Sequence, residues 1–129
     1  MIKKFFLFFL IGFISGIYCL SVKQRVEFEK WPQMKFKNVR ILISNDFLSN
    51  QGFAGANLND MENTIIIFPK VEKGVVFTNV DQGFGPVKEN IKIYYLDRNF
   101  KILKFDIIKK EKGISIPPKD TYIAVEGLP

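Results

Sequence analysis

Short runs of alternating apolar and polar residues follow residue 38, and a period of two is typical of half-buried β-strands. In the first run, 39–44, the side chains of Val39, Ile41 and Ile43 share one face. The run 64–68 is too short for a buried helix and is rich in β-branched residues, which also favours a strand. The chain is thus predicted to form strands at 39–44, 64–68, 75–78, 91–96, 100–107 and 122–126.

Two of these strands are predicted to form a hairpin, because the turn residues 97–99 separate 91–96 from 100–107. Along the second strand the apolar positions change parity between Ile102 and Leu103. A one-residue slip of this kind is what a β-bulge produces. We therefore expect a bulge in the return strand of the hairpin.

The segments between the strands carry turn signals and the signal for one short helix. Asn45 and Asp46 are good helix N-cap residues, so a helix is predicted over 47–51, ended by Gly52. Polar or glycine-rich segments predict loops at 57–63 and 79–90. Together the elements predict a mainly β fold (α+β at most). The expected form is a small β-barrel-like domain of about six short strands with one short helix.

The N-terminal segment has the composition of a targeting sequence. Lys3 and Lys4 form a short basic start, and 5–22 contains no charged residue. A basic start followed by an apolar run is the signature of a secretory signal, and about 18 apolar residues also approach the length of a membrane-spanning helix. We therefore predict a signal peptide or anchor at 1–21, a tether at 22–38 and the β-rich domain at 39–129.

The fate of this segment has three alternatives. Cys19 is a candidate for acylation as the first residue of a lipoprotein, although Gly16, Ile17 and Tyr18 fit a lipobox poorly. Cleavage after Ser21 would instead release the domain, and an uncut segment would hold it in the membrane. All three predict an exported protein, periplasmic or membrane-anchored in the cell envelope, whose contact with the membrane is made through the N-terminal segment.

The composition excludes several classes of chemistry. The chain has no histidine, and its single cysteine is Cys19, so histidine-dependent catalytic triads and histidine- or thiolate-bound zinc are excluded from the domain. We predict no metal and no cofactor. The formal charge of +6 is scattered rather than clustered in a stripe between aromatic residues, so no nucleic-acid partner is predicted. Asp60 and Glu62 are too few to predict a calcium site.

From residue 39 to residue 126 the order of the elements resembles the domain of unknown function 192 family, an uncharacterised bacterial and archaeal family. Its members carry an R-x-x-G-L-M-like turn, G-M-L-F-x-F, F-W-M-K-N-T, L-D-I-I-F-I-D and L-E-L-P. Asn79, Asp97 and Glu126 fall where the family carries Asn, Asp and Glu. The family's inner aspartate falls on Lys92. The matching segments are 48–53, 63–69, 76–80, 91–97 and 124–127. The resemblance implies a compact β-rich fold and no particular activity.

Candidate ligand- or partner-binding residues lie in and around the loop 79–90. Its glycines would allow close approach of the backbone to a ligand, with Phe84 as an exposed anchor, although a plain flexible loop is the alternative. Glu126 and Lys92 are candidates for an ion pair in a cleft, and a solvated surface pair is the alternative. The full set of candidates is Asn79, Gln82, Phe84, Asn90, Lys92 and Glu126.

These observations predict an exported, non-catalytic envelope domain that binds a ligand or partner. The alternative is a carboxylate-dependent hydrolase acting on an envelope glycan, with its acids drawn from Asp97, Asp106 and Glu126. A structural lipoprotein without a ligand is a third interpretation. Trp31 is predicted to lie in the tether, at the membrane interface or at the base of the domain.

Overall fold

The computed structural model describes residues 23–45 and 48–129. Within these ranges it is mainly β, with eight strands in two sheets and one short α-helix. No helix in the described part is long and apolar enough to cross a membrane. The elements are a 3-10 helix (Phe28–Lys30), β1 (Gln33–Phe36), β2 (Val39–Ile43), α1 (Leu58–Met61), β3 (Thr64–Phe68), β4 (Phe77–Thr78), β5 (Ile91–Leu96), β6 (Ile102–Ile108), β7 (Ile114–Ser115) and β8 (Ile123–Gly127).

Six strands form the main sheet in the order β1-β2-β3-β8-β5-β6, and β4 pairs with β7 in a small second sheet. β2 and β3 run parallel, whereas the other pairs of the main sheet are antiparallel. The predicted mainly β class is confirmed. The main sheet is open rather than closed into a barrel, because β1 and β6 are edge strands.

One face of the main sheet carries the core, and we call it the inner face. In β5, Ile91, Ile93 and Tyr95 are buried on this face while the residues between them are half-buried, as the alternation predicts. Ile66 of β3 and Leu42 of β2 continue the same layer, both with no exposed surface. The segments that connect the strands of the main sheet, which include α1 and β4, cover this face with Leu48, Phe53, Met61, Phe77 and Val87. The core is therefore a sheet packed under turns rather than under a long helix.

The opposite face, the outer face, is also apolar but has no covering layer among the described residues. Ile65 and Ile67 of β3 are half-buried there, beside Val125 of β8. Towards the edge of the sheet, Phe105 and Ile107 of β6 are exposed. Both faces thus carry apolar side chains, and only one of them is buried.

The predicted bulge is confirmed. Tyr95 pairs with Lys104 and Leu96 pairs with Ile102, so Leu103 has no partner across the hairpin. The extra residue explains why the apolar positions change parity at this point.

The predicted helix at 47–51 is wrong over its described residues, because 48–55 form consecutive turns. The Asn45 side chain does accept a hydrogen bond from the Leu48 amide at 2.9 Å, as an N-cap would. Gly52 and Gly55 then take positive φ angles, which interrupt a right-handed helix. The helix α1 lies instead in the predicted loop 57–63, capped by the Asn57 side chain.

The segment predicted as a tether, 22–38, belongs to the domain over its described residues. Phe28 and Trp31 are buried in the core, and the indole nitrogen of Trp31 donates to the carbonyl of Val26 at 3.1 Å. Trp31 is therefore a core residue rather than an interfacial one. The predicted leader 1–21, with the acylation candidate Cys19, lies outside the described residues.

Candidate functional site

Among the described residues of the central strands β2, β3, β5 and β8, Glu126 is the one that carries a carboxyl group, and it lies among apolar residues on the inner face. It lies in β8, between Ile66 of β3 on one side and Ile93 of β5 on the other. Both neighbours are fully buried, and Glu126 itself is 7% exposed. An acidic residue in this position needs an explanation, because glutamate is almost never buried without a partner.

The carboxyl group of Glu126 makes no hydrogen bond or ion pair with any described residue. Yet within the described residues, every side-chain nitrogen or oxygen that is sealed from solvent has a hydrogen-bond partner. The Glu126 oxygens therefore retain a small accessible surface, which opens into a cavity that the residue lines. The carboxyl group faces this cavity rather than the packed core.

Burial raises the pKa of the Glu126 carboxyl from its ordinary value of 4.5 to about 8. The physical cause is desolvation, because the charged form has lost its water without gaining a donor. On β5, burial likewise raises the pKa of Tyr95 to about 12, with a smaller contribution from the nearby Glu126 carboxylate. At neutral pH this part of the core is thus close to uncharged.

The cavity has a volume of about 470 Å³, within the range of small-molecule sites. Its apolar wall includes the rings of Phe53, Phe68 and Phe77, and the last two make an edge-to-face contact at 5.1 Å between centroids. Amide and hydroxyl side chains surround the remainder. They are Ser44, Asn45, Ser49, Asn50, Gln51, Thr78, Asn79 and Gln82.

Gly52 lies next to the carboxyl group. A Cβ atom built on this glycine would lie 3.5 Å from Glu126 Oε2 and 3.9 Å from Cζ of Phe68. The backbone of this turn therefore passes close to both the carboxylate and the Phe68 ring, and a side chain at position 52 would contact both.

A second and larger depression, of about 870 Å³, lies between 70–76, 97–99 and 116–122. All of its lining residues are exposed or half-buried. None of its polar groups is buried, so a ligand bound there would not relieve the cost of a buried group that lacks a hydrogen bond. The smaller cavity at Glu126 is therefore the better candidate, despite the difference in volume.

The predicted ion pair between Glu126 and Lys92 is wrong, both as a pair in a cleft and as a solvated surface pair. Lys92 pairs with Gly127 across the β5–β8 ladder, whereas Glu126 pairs with Ile93. Successive side chains of a strand point to opposite faces, so Lys92 lies on the outer face. Its ammonium group is 5.1 Å from the Tyr94 ring centroid and 4.6 Å from that of Phe105.

Asn79 and Gln82, predicted from the loop 79–90, both line the Glu126 cavity. Asn79 is 2% exposed, and its amide nitrogen donates to the carbonyls of Ile108 at 2.9 Å and Lys109 at 3.1 Å. That amide therefore joins the loop to the end of β6, while the residue also forms part of the cavity wall.

Phe84 and Asn90 lie away from the cavity. Phe84 is half-buried, packs against the core and has the Lys23 ammonium 5.4 Å from its ring centroid. Asn90 is exposed, and its side-chain oxygen accepts a hydrogen bond from the Lys110 amide at 2.9 Å. Each thus has a partner within the domain.

The glycines of the loop 79–90 do not present free amides to a ligand. The Asp81 carboxylate accepts hydrogen bonds from Gly83 N at 2.8 Å and from Gly85 N at 3.0 Å. Gly55 is close enough to the loop that a Cβ there would collide with the carbonyl oxygen of Phe84. The loop is therefore held by its own aspartate and by the neighbouring turn, and the amides of Gly83 and Gly85 are already engaged.

The other carboxylates named as candidates for hydrolysis lie outside the cavity lining. Asp97 accepts hydrogen bonds from the amides of Asn99 and Lys101 in the hairpin turn. Asp106 accepts from the Ser115 hydroxyl at 2.8 Å. Across 23–45 and 48–129, no group of three acidic, cysteine or histidine side chains is placed to hold a metal ion.

The residues that sequence reasoning missed are those of the turn 51–53. Gln51 is buried, and its amide both accepts from Val26 N at 2.7 Å and donates to Val26 O at 2.8 Å. This pair of bonds fixes the N-terminal segment against the cavity wall. No signal in the sequence identified these contacts, because they join residues 25 positions apart.

No protein-family model, curated protein or solved structure matches the chain.

Proposed function

We propose that this chain is an exported cell-envelope domain that binds a small ligand in the Glu126 cavity and does not transform it chemically. The observation that carries the proposal is the Glu126 carboxyl group, which is 7% exposed, borders a cavity and has no hydrogen-bond partner among the described residues. Buried ionisable groups with shifted pKa values concentrate at functional sites.

The buried carboxyl group of Glu126 has no hydrogen-bond partner among the described residues. An unsatisfied buried polar group costs about 1–3 kcal/mol, and a charged group costs more. Ile66 and Ile93 flank Glu126 on both sides, so an apolar residue would fit the same position without that cost. A ligand that hydrogen bonds to the carboxyl group recovers part of the cost on binding. This gives the cavity both an anchor point and a driving force.

A hydrolase is the weaker candidate, because glycoside hydrolysis requires two carboxyl groups across the scissile bond. The other acidic residue in the described lining of the cavity is Glu72. Glu72 is exposed and lies 3.7 Å from the ammonium of Lys70. Asp97 and Asp106 are engaged elsewhere, so the second acid of a glycosidase is missing from this site.

Two further proposals rest on the sequence. The basic start and uncharged run of 1–22 support export and a cell-envelope location. Divergent membership of the domain of unknown function 192 family is supported by Asn79 and Glu126. These residues match the family's asparagine and its closing glutamate, and both line the same cavity.

Native mass spectrometry of the protein isolated from its own cells tests the proposal. We expect an added mass on the wild-type protein that is lost under denaturing conditions and reduced in Glu126→Gln. Lys92→Gln is the matched control, because it removes a charge from the opposite face of the same strand pair. Equal retention of the added mass in Glu126→Gln would contradict the proposal. If no mass is retained, amide NMR of the protein titrated with an extract of its own cells decides. Shifts confined to Gly52 and its neighbours support the proposal, and their absence overturns it.

A further inference from the structure

We propose that the Glu126 cavity selects ligands that carry an ammonium group, with the Glu126 carboxylate as the counter-charge. This inference rests on the proposed function and adds the class of ligand. It follows from two features of the cavity, which are its charge and its aromatic wall.

The charge inside the cavity is negative when Glu126 is ionised, and no described cation neutralises it. Two lysines line the rim. The Lys23 ammonium lies 5.4 Å from the centroid of the Phe84 ring, and the Lys70 ammonium lies 3.7 Å from a carboxylate oxygen of Glu72. The charged side chains of the rim thus sum to +1, with Lys70 paired to Glu72 and Lys23 placed over a ring, whereas the described interior of the cavity lacks a positive group. A ligand ammonium supplies the missing charge.

The aromatic wall favours the same class of ligand. Rings attract cations through their negative faces, and the attraction reaches about 2 kcal/mol where water is excluded. The rings of Phe53, Phe68 and Phe77 line the same cavity as the Glu126 carboxyl group. Glu126 Oε2 and Cζ of Phe68 both lie within 4 Å of the position that a Cβ atom on Gly52 would take, so the carboxylate and the aromatic wall are neighbours. A ligand ammonium that pairs with the carboxylate therefore lies beside aromatic rings, whereas a neutral alcohol would gain neither the ion pair nor the cation–π attraction.

Binding of the ammonium group is coupled to loss of a proton from Glu126. The carboxyl has a pKa of about 8, so at neutral pH it is mostly protonated and must ionise to pair with a cation. Each pH unit below that value therefore lowers the affinity about tenfold. The other titratable groups that face the site are Tyr95 on β5 and, at the rim, Lys23, Lys70 and Glu72. Burial keeps Tyr95 neutral across this range, because it raises its pKa to about 12.

Calorimetric titration of the protein with hexylammonium and with hexan-1-ol tests the inference, because these probes differ in the charged group and share the alkyl chain. We expect hexylammonium to bind about tenfold more tightly at about pH 7 than at about pH 6, with no further gain above about pH 9. Glu126→Gln should lose this pH dependence and at least about tenfold in affinity. Hexanol should bind wild type and variant equally.

A second variant separates the aromatic wall from the carboxylate. Phe77→Leu keeps an apolar wall and removes one ring, so it should weaken hexylammonium more than hexanol. Amide NMR during the titration distinguishes the cavity from the outer face, since Gly52 should shift and Phe105, exposed at the edge of the outer face, should not.

The outcomes separate the inference from the proposed function. Hexanol bound at Gly52 as tightly as hexylammonium would overturn the ammonium preference while leaving ligand binding in the cavity intact. Hexylammonium that shifts only the outer face, or that binds Glu126→Gln as well as wild type, would also overturn it. If neither probe shifts Gly52 up to the solubility limit of the alcohol, the inference and the binding function of the cavity both fail.

Discussion

The two faces of the main sheet both carry mostly apolar side chains, but they differ in how far these side chains are buried. Ile66 and Ile93 on the inner face are fully buried beneath the turns, whereas Ile65 and Ile67 on the outer face keep part of their surface exposed. The inner face of the central strands also carries the carboxyl group of Glu126, and the outer face carries the ammonium group of Lys92.

The comparison of Lys92 with Glu126 shows that solvent access decides whether an ionisable side chain keeps its charge at neutral pH. Lys92 keeps its ammonium at an open face, where it lies over the rings of Tyr94 and Phe105 and remains accessible to water. Glu126 has lost its water and has gained no donor, so burial raises the pKa of its carboxyl to about 8. The ammonium group of Lys92 lies at the surface, whereas the carboxyl group of Glu126 lies at a cavity.

The largest expected effect is on the pH dependence of stability, and it belongs to the inner face. The folded carboxyl of Glu126 has a pKa of about 8 and the unfolded one has its ordinary value of 4.5, so the folded state binds more protons between these values. The free energy of unfolding should therefore fall as pH rises from about 4.5 to about 8, by at most about 5 kcal/mol, and level off above.

Urea titrations across this pH range measure the slope. Glu126→Gln should be nearly flat in this window and should be more stable than wild type above about pH 8. Glu62→Gln, at an exposed glutamate, should keep the wild-type slope. A flat wild-type profile would mean that the carboxyl group is solvated in the folded protein.

The next effect compares one isoleucine from each face. Ile93→Ala should destabilise the protein by about 2–5 kcal/mol, because it removes a fully buried side chain from the inner layer. Ile102→Ala is the matched control on the outer face, where the side chain is 57% exposed, and it should change stability by less than about 0.5 kcal/mol. Chemical denaturation of both variants checks the pair, and similar losses would show that the outer face is buried in solution.

A smaller effect is expected where the covering loop joins the sheet. Asn79→Asp replaces the donor that reaches the carbonyls of Ile108 and Lys109 with an acceptor. We expect a loss of about 1–3 kcal/mol, because buried carbonyls are left unpaired. Asn90→Asp keeps the oxygen that accepts from Lys110, so it should remain near wild type by thermal denaturation. An Asn79→Asp variant as stable as the wild type would show that the loop does not need this hydrogen bond.

The smallest effect concerns Lys92 itself. Lys92→Ala removes the two ring contacts at an accessible site, so the fold should remain intact and stability should fall by no more than about 1 kcal/mol. The thermal midpoint measures this loss. A large decrease would mean that the outer face is covered and that Lys92 is part of a buried contact.

Local patterns were sufficient for six of the eight strands of the described residues and for the buried positions of β5, whereas β1, which lies in the predicted tether, and the two-residue β7 were not predicted. The alternation along 91–96 placed Ile93 and Tyr95 on the buried face, and the parity change at Leu103 identified the bulge. Both depend on the period of two along a strand, which each segment carries by itself. The helix was misplaced because a cap residue such as Asn45 serves a turn as well as a helix, and the glycines at 52 and 55 favoured turns.

The sequence by itself determined the mainly β class, the positions of β2 to β6 and β8, and the side-chain types available for chemistry. The tertiary structure decided that β8 lies between β3 and β5, which places Glu126 at the centre of the buried layer. It also decided that Glu126 and Lys92 face opposite sides and that Phe28 and Trp31 join the core. The physical reason is that strand order and register depend on contacts between distant residues, whereas alternation within a strand is a local property.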